Sequence, residues 1–466
     1  MAENEKKLGL FALIALVVGS MIGGGAFNIA TDMASGASTG AIILGWVITG
    51  IGMICLGFCF QNLTSKRPDL EGGVFSYAKA GFGDYWGFNS AWGYWLSAWL
   101  GNVAYATLLF SSIGYFFPIF DGQNVASIVG ASVLLWAVVF LILGGVQSAA
   151  LVNTVVTIAK LVPIFLFIIL GIFAFNIEQF NVDFWGKGEF RLSDVLGQTK
   201  STMLVTLWVF IGIEGAVVLS SRAENKKDVG KATIIGLVST LLIYVMISLL
   251  STGIMSKEEL ADLKSPSMAY VLESVVGPWG ATFVNLGLII SVLGAWLGWT
   301  LLASELPYLA AKDGVLPKLF AKENKNKAPV NSLIITNVLI QVFLLTFLFS
   351  DKPYNFAFSL ASSAILVPYL FSALYQVKYS MQEKETKQTA IGIVASIYGA
   401  WLLYAAGIDY LVLTAVLYAL GIFVYQYAQK EHGKKAFKPF ELVWAGLFVV
   451  FGILAIFMLT SGKISI

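Results

Sequence analysis

Thirteen apolar stretches, each long enough to cross a bilayer, leave this chain little choice but a bundle of membrane helices. A hydrocarbon core of about 30 Å takes roughly 17 to 25 helical residues. Such stretches lie near 8–31, 40–62, 86–117, 125–145, 152–175, 200–221, 230–254, 278–310, 330–349, 355–379, 388–406, 409–428 and 440–461. Hydrophobic residues fill 58% of the 466 positions and charged residues only 12%, where a soluble domain carries about 25% charged. The expected fold class is therefore all-α integral membrane protein. One division stays open: Gly407-Ile-Asp409 reads either as a very short turn or as a kink in a re-entrant hairpin. The charged segment Met1 to Leu8 precedes an apolar run too long and too glycine-rich for a cleavable signal, so a retained first span is expected.

Charge placement predicts the orientation. With the N-terminus inside, the inner segments hold 21 of the 29 Lys and Arg, including Lys6, Lys7, Lys66, Arg67, Lys79, Arg222 and Lys312. The outer segments hold 7, among them Lys187, Lys264 and Lys352, and Lys160 alone falls within a span. That excess matches the rule that short cytoplasmic loops are positive, and an odd span count puts the C-terminus outside. The longest outer stretches, 176–198 and 255–273, have the length of lids or surface helices, and 65–84 reads as a short interfacial helix on the inner face.

Two spans are broken by glycine. Gly19-Ser-Met-Ile-Gly-Gly-Gly-Ala-Phe27 and Phe210-Ile-Gly-Ile-Glu-Gly-Ala216 lie about 190 residues apart. Glycine is unfavourable inside a helix, and unpaired backbone groups cannot face lipid, so such a break must line a cavity or a ligand site. Matching breaks in the two halves of a chain are the pattern of a secondary transporter built from inverted repeats, with its site at the midplane.

The residues around the breaks suggest the ligand. A half-helix starting after Gly23, Gly24 and Gly25 offers free N–H groups and a positive dipole end, which suits a carboxylate. Carbonyls ending the half-helices around Met21, and around Trp208 and Ile211, suit an ammonium group. Trp208 and Trp299 offer indole faces to a cationic tail, an attraction of roughly 1 to 2 kcal/mol when desolvated; most of the 13 tryptophans, such as Trp92, Trp95 and Trp444, read instead as packing or interfacial residues. Ser97, Ala98, Asn102 and Tyr105 recur at helical spacing on one face of the third span. For Asn102 the alternative is an interhelical bond with no ligand. Ser362 and Ser363 would add hydroxyls from the opposite wall.

Charges inside spans are functional candidates. Glu214 reads as a gate or protonatable group, with a carboxylate satisfied by nearby backbone as the equal alternative. Lys160 reads as a fixed or titrating cation, and Glu305 as the partner of an inner lysine. No clustered His, Cys or carboxylates suggest an enzyme. Cys55, Cys59 and the single His432 make neither a disulfide framework nor a metal site. No cofactor is expected, and a net charge of +2 gives no nucleic-acid footprint.

Six motifs in order, the Gly19–Phe27 segment, Trp99-Leu-Gly-Asn102, Leu207-Trp-Val-Phe-Ile-Gly-Ile-Glu214, Gly298-Trp-Thr-Leu-Leu-Ala303, Ala311-Lys-Asp-Gly-Val-Leu-Pro317 and Val367-Pro-Tyr-Leu370, carry a family likeness. From about Lys7 to Ala428 the chain resembles the basic amino acid and polyamine antiporter branch of the amino acid-polyamine-organocation superfamily, and within it bacterial arginine/ornithine antiporters. The resemblance implies the leucine-transporter fold, a 5+5 inverted repeat followed by two further helices. It implies one polytopic transporter domain, with repeat one at about 8–175, repeat two at about 200–379 and C-terminal helices at about 388–461; the segment 440–461 exceeds that plan.

It further implies that the broken segments clamp an amino-acid backbone, that Trp208 stacks on the substrate and that Trp299 bounds the site on the inner side. Tyr105 departs from the methionine of some arginine/agmatine relatives. Lys160 falls where sodium-coupled members of the wider fold bind their ion, which argues against sodium coupling. The implied activity is secondary active exchange of arginine for ornithine across the cytoplasmic membrane by alternating access. Alternatives are exchange of another pair (lysine, histidine, or arginine with agmatine) and a proton-coupled cationic amino-acid permease. The partners implied are small cationic amino acids and the lipid bilayer, with a homo-oligomer left open.

Overall fold

The computed structural model describes residues 8–70, 72–120, 124–144, 149–187, 190–218, 223–349 and 353–464. Most of the charged N-terminal segment lies outside them, as do Arg222 and Lys352. Among the described residues the secondary structure is helical. In chain order the helices are α1 (Leu10–Met21), α2 (Gly25–Ala34), α3 (Thr39–Lys66), α4 (Val74–Phe82), α5 (Asp84–Phe116), α6 (Val125–Leu143), α7 (Ala149–Ala174), α8 (Ile177–Asn181), α9 (Leu192–Ser201) and α10 (Met203–Phe210). There follow α11 (Gly215–Val218), α12 (Lys226–Thr252), α13 (Lys257–Asp262), α14 (Ser267–Val276), α15 (Pro278–Lys312), α16 (Val330–Thr346), α17 (Pro353–Gln382), α18 (Thr386–Glu431) and α19 (Pro439–Thr460).

Ten of the described helical segments are long and apolar enough to cross a membrane, and α1 with α2, bent by 42°, makes an eleventh. The two remaining expected spans explain themselves. α16 has only 17 residues but continues into a 3-10 turn, Phe347–Phe349. α18 has 46 residues, about 69 Å at 1.5 Å per residue, more than twice the hydrocarbon thickness. Its one non-helical residue is Gly407, at φ 78° and ψ 160°. Before its first turn Glu385 pairs with Lys66, at its last turn Glu431 accepts from the Lys318 N–H, and between them Tyr404 lies beneath the Lys200 ammonium. Both ends therefore lie on the face that carries Lys66, and the middle reaches the opposite face. α18 is a hairpin of two spans turning at Gly407, which settles the division that the sequence leaves open.

The packing pairs the halves of the chain. α1 packs on α7 and α12, as α10 packs on α17 and α3; α15 packs on α7 as α5 packs on α17; α3 meets α12, α5 meets α15 and α6 meets α16. The short helices follow the same rule, α4 lying on α17 and α14 on α7. Close approach is possible where side chains vanish: a Cβ on Gly93 of α5 would stand 2.6 Å from the Ala364 carbonyl of α17. Small residues of this kind are what let membrane helices pack without a hydrophobic drive from water. Phe140, Phe165, Ile169, Leu447 and Ile453 remain exposed on α6, α7 and α19, as a lipid-facing surface requires. α4 and the pair α13–α14 correspond to the interfacial and surface helices expected at 65–84 and 255–273.

Candidate functional site

The first span loses its helix at Ile22 (ψ 86°) and regains it at Gly25. The sixth loses it at Ile211 (ψ 127°) and regains it at Gly215. The two breaks touch. Ser20 Oγ donates to the Gly212 carbonyl at 2.8 Å, and Gly212, at φ +112°, comes so close that a Cβ there would stand 2.8 Å from the Ser20 carbonyl carbon and oxygen. Only glycine satisfies both the left-handed backbone and the contact.

The carbonyls freed at the end of α1 are met from three spans. Lys160 of α7, 1% exposed, donates to Gly19 and Ile22, each at 2.6 Å; Tyr244 of α12 donates to Met21 at 2.8 Å; Trp299 Nε1 of α15 donates to Ser20 at 3.3 Å. Buried backbone acceptors demand partners, and a lysine ammonium with its three donors serves two at once. Lys160 Nζ thus sits at the end of the first half-helix, where the dipole is negative. In the sixth span the Trp208 carbonyl takes the Ile211 N–H at 3.2 Å.

Aromatic side chains fill the space over the glycines. A Cβ on Gly23 would strike the Tyr105 hydroxyl, one on Gly24 Leu108, and one on Gly25 the Trp208 indole. Tyr105 and Trp208 have ring centroids 5.9 Å apart, Phe358 stacks on Trp208 at 6.0 Å, and Trp208 Nε1 donates to the Tyr354 hydroxyl at 3.3 Å. On the side toward Lys66, Tyr94 lies 6.5 Å from Trp299, and Glu214 Oε2 accepts from Tyr369 at 2.5 Å and from the Gly212 N–H at 3.3 Å. Glu214 Oε1 has no hydrogen-bond partner among the described residues. This carboxylate therefore bridges the sixth and tenth spans just beyond the break.

A cavity of about 470 Å³ opens on the opposite side of this cage. Asn28, Thr31 and Ser35 of α2, Thr107, Leu108 and Ser111 of α5, and Tyr354 of α17 line it. Leu108 and Tyr354 belong both to its floor and to the cage, so the cavity is a vestibule leading down to the breaks.

Of the residues singled out in the sequence, Met21, Gly23, Gly24, Gly25, Tyr105, Trp208, Ile211 and Trp299 converge on this cage, with Lys160 behind it and Glu214 below it. Five others lie as follows. Asn102, fully buried, donates to Thr300 Oγ1 at 3.3 Å and leaves its Oδ1 without a partner; Ser97 Oγ is buried and unpartnered; Ala98 is buried beside it. Ser362 Oγ donates to the Leu204 carbonyl at 3.2 Å, a link between spans ten and six, and Ser363 bonds back within its own helix. Tyr244, Tyr354, Tyr369, Tyr94 and Phe358 are missed by sequence reasoning, since an aromatic in an apolar span reads first as packing. Asn28 and Asp32 are missed too: they fall near the assumed end of the first span, although two polar side chains four residues apart mark one face of a helix.

Known proteins decide the family. A profile described as amino acid permease matches residues 8–424. This chain belongs to the amino acid permease family. The permease is 49% identical to a protein of Pseudomonas aeruginosa named "Arginine/ornithine antiporter", over 100% of this chain and 99% of the relative. It is 48% identical to one of the same name from Latilactobacillus sakei, over 100% and 99%. It is 42% identical to an "Arginine/agmatine antiporter" of Chlamydia felis, over 99% of each chain. The permease is a multi-pass membrane transporter rather than an enzyme.

Proposed function

We propose that this permease is an antiporter that exchanges arginine for ornithine across the cytoplasmic membrane by alternating access. The observation that carries the reading is the meeting of two broken helices beneath Tyr105, Trp208 and Trp299, in a chain that matches arginine/ornithine antiporters from end to end. The N–H groups after Gly23 and Gly24 receive the α-carboxylate, the Ile211 carbonyl faces the α-ammonium beside the Met21 and Trp208 carbonyls that Tyr244 and the Ile211 N–H already engage, and Trp208 and Trp299 flank the cationic tail. Asn102, Ser97, Ala98 and Ser362 support the walls. Glu214 with Tyr369 closes the site toward the face that carries Lys66, and Lys160, bonded to the Gly19 and Ile22 carbonyls, takes the place where a coupling ion would otherwise bind.

The paired packing supports a first repeat at about 8–175, a second at about 200–379 and C-terminal helices at about 388–461. The face rich in Lys and Arg is cytoplasmic, so the vestibule opens outward and the C-terminus lies outside. Because arginine and ornithine carry the same charge, their exchange moves no net charge.

The test is exchange by purified protein in liposomes loaded with ornithine, with labelled arginine outside and a membrane-potential dye. Rapid uptake that needs internal ornithine and ignores the potential is the expected result. Uptake into empty vesicles under a pH gradient would overturn the exchange in favour of a proton-coupled permease. Potential-sensitive exchange with agmatine but not ornithine would reassign the partner.

A further inference from the structure

One carboxylate near the vestibule has no counter-charge among the described residues. Asp32, on α2, is only 7% exposed. Its Oδ1 accepts from Asn28 Nδ2 at 2.8 Å, and Asn28 Oδ1 in turn accepts the Ser267 N–H at 3.2 Å, so the carboxylate is held from behind by α14. Its Oδ2 has no hydrogen-bond partner among the described residues. Along α2, residues 28, 31, 32 and 35 form one helical stripe, and its other three members, Asn28, Thr31 and Ser35, line the vestibule. Tyr354, which forms part of the vestibule floor, lies within electrostatic reach of Asp32.

A buried carboxylate is costly unless a cation or several donors meet it. Here one oxygen is satisfied and the other has no partner among the described residues, on a helix stripe whose other three members line the entrance. We propose that Asp32 is a specificity-determining residue that takes the cationic tail of the incoming amino acid, as an ion pair, on its way from the vestibule to the cage. The inference rests on the proposed exchange of cationic amino acids. It gives the selection of charge to a residue above the cage, and the aromatic cage below then binds a tail already chosen. Asn28 acts as a positioning residue, since it touches Asp32 and holds it by one oxygen only.

Asp32→Asn removes the charge at almost constant shape. The measurement is competition at the outer face of ornithine-loaded oriented vesicles, comparing arginine with citrulline, which has a similar length and an uncharged tail. The wild-type protein should prefer arginine strongly. The variant should lose about tenfold in apparent arginine affinity, a typical consequence of deleting one charge-assisted contact, with citrulline unchanged. Asp32→Glu should restore much of the preference. Thermal unfolding in detergent shows whether each variant is folded.

An equal loss for both ligands would assign Asp32 a structural role and overturn the proposal, as would unchanged arginine affinity. If the wild-type protein itself exchanged no cationic amino acid, the functional reading would fail first, and that outcome is seen before any variant is made.

Discussion

At the residue scale, two glycines that look alike in the sequence stand in opposite situations. Gly212 has φ +112° and no room for a Cβ against the Ser20 backbone, whereas Gly298, in an equally recognisable motif, has nothing within 4 Å of where its Cβ would go. Gly212→Ala should cost roughly 1–3 kcal/mol of strain and abolish exchange. Gly298→Ala, in the interior of α15, should be neutral or stabilise by up to about 1 kcal/mol. Thermal unfolding together with exchange rates checks both, and a tolerant Gly212 would remove the contact between the breaks. The sequence marks Trp208, Gly23 and Lys160 because each breaks a rule of its surroundings: glycine in a helix, charge in lipid, tryptophan beside a break. It does not mark Tyr354, Tyr244 or Tyr369, whose rings fit an apolar span and whose hydroxyls acquire meaning only when another helix brings Trp208, Met21 or Glu214 within reach. Lys160 gives the second prediction at this scale. Lys160→Met would orphan two buried carbonyls, at about 1–3 kcal/mol each, so both melting temperature and exchange rate should fall sharply, with sodium restoring neither. Wild-type exchange in that variant would show that the ammonium is dispensable.

At the scale of the element, the broken first span is legible in sequence as a break but not as a graded surface. All three glycines read alike there, yet a Cβ on Gly23 would lie 2.2 Å from the Tyr105 hydroxyl with the ring behind it, and one on Gly24 would meet only the end of the flexible Leu108 side chain. A rigid ring cannot yield as a leucine terminus can. Gly23→Ala should therefore lower arginine affinity far more than Gly24→Ala, while the bulkier Gly24→Val should block transport. Binding measured by calorimetry on the purified variants gives the order, and equal losses at 23 and 24 would mean that Tyr105 is free to move aside. The same contrast explains α18. Apolar length alone leaves 388–428 open between two spans and a kinked re-entrant hairpin, and only the pairing of Glu385 with Lys66, together with Tyr404 near Lys200, shows two spans turning at a single residue, Gly407. α16 is recognisable for a related reason: its helix is short, and the 3-10 turn after it supplies the missing apolar length.

For the whole molecule, the question is what holds one face shut while the vestibule stands open on the other. Lys79 of α4 bonds the Asp313 carboxylate and carbonyl at the end of α15, at 2.7 and 2.9 Å, and lies 3.9 Å from Asp84; Lys434, beyond the hairpin, pairs with Asp84 at 2.8 Å. These charges tie the end of the eighth span to an interfacial helix, the start of the third span and the C-terminal hairpin. The sequence shows the lysine excess on this face but not the network, because its members come from three separate stretches of chain, around 79–84, 313 and 434. Each side chain is partly exposed, so a single pair is worth little and a small network about 1 kcal/mol. That is still enough to shift a two-state equilibrium about fivefold. Lys79→Gln should weaken the closed face and lower the fraction of molecules whose vestibule is open. The readout is the labelling rate of Ser111→Cys, at the vestibule wall, by a membrane-impermeant thiol reagent, with Cys55 and Cys59 replaced by serine. Labelling should slow about fivefold in Lys79→Gln, and raising the salt should slow it in the parent while leaving the variant almost unaffected, since exposed pairs are screened within about 10 Å at 0.1 M. Equal rates with and without Lys79 would mean that the helix packing alone sets which face is open, and the charges would then serve only to orient the chain in the membrane.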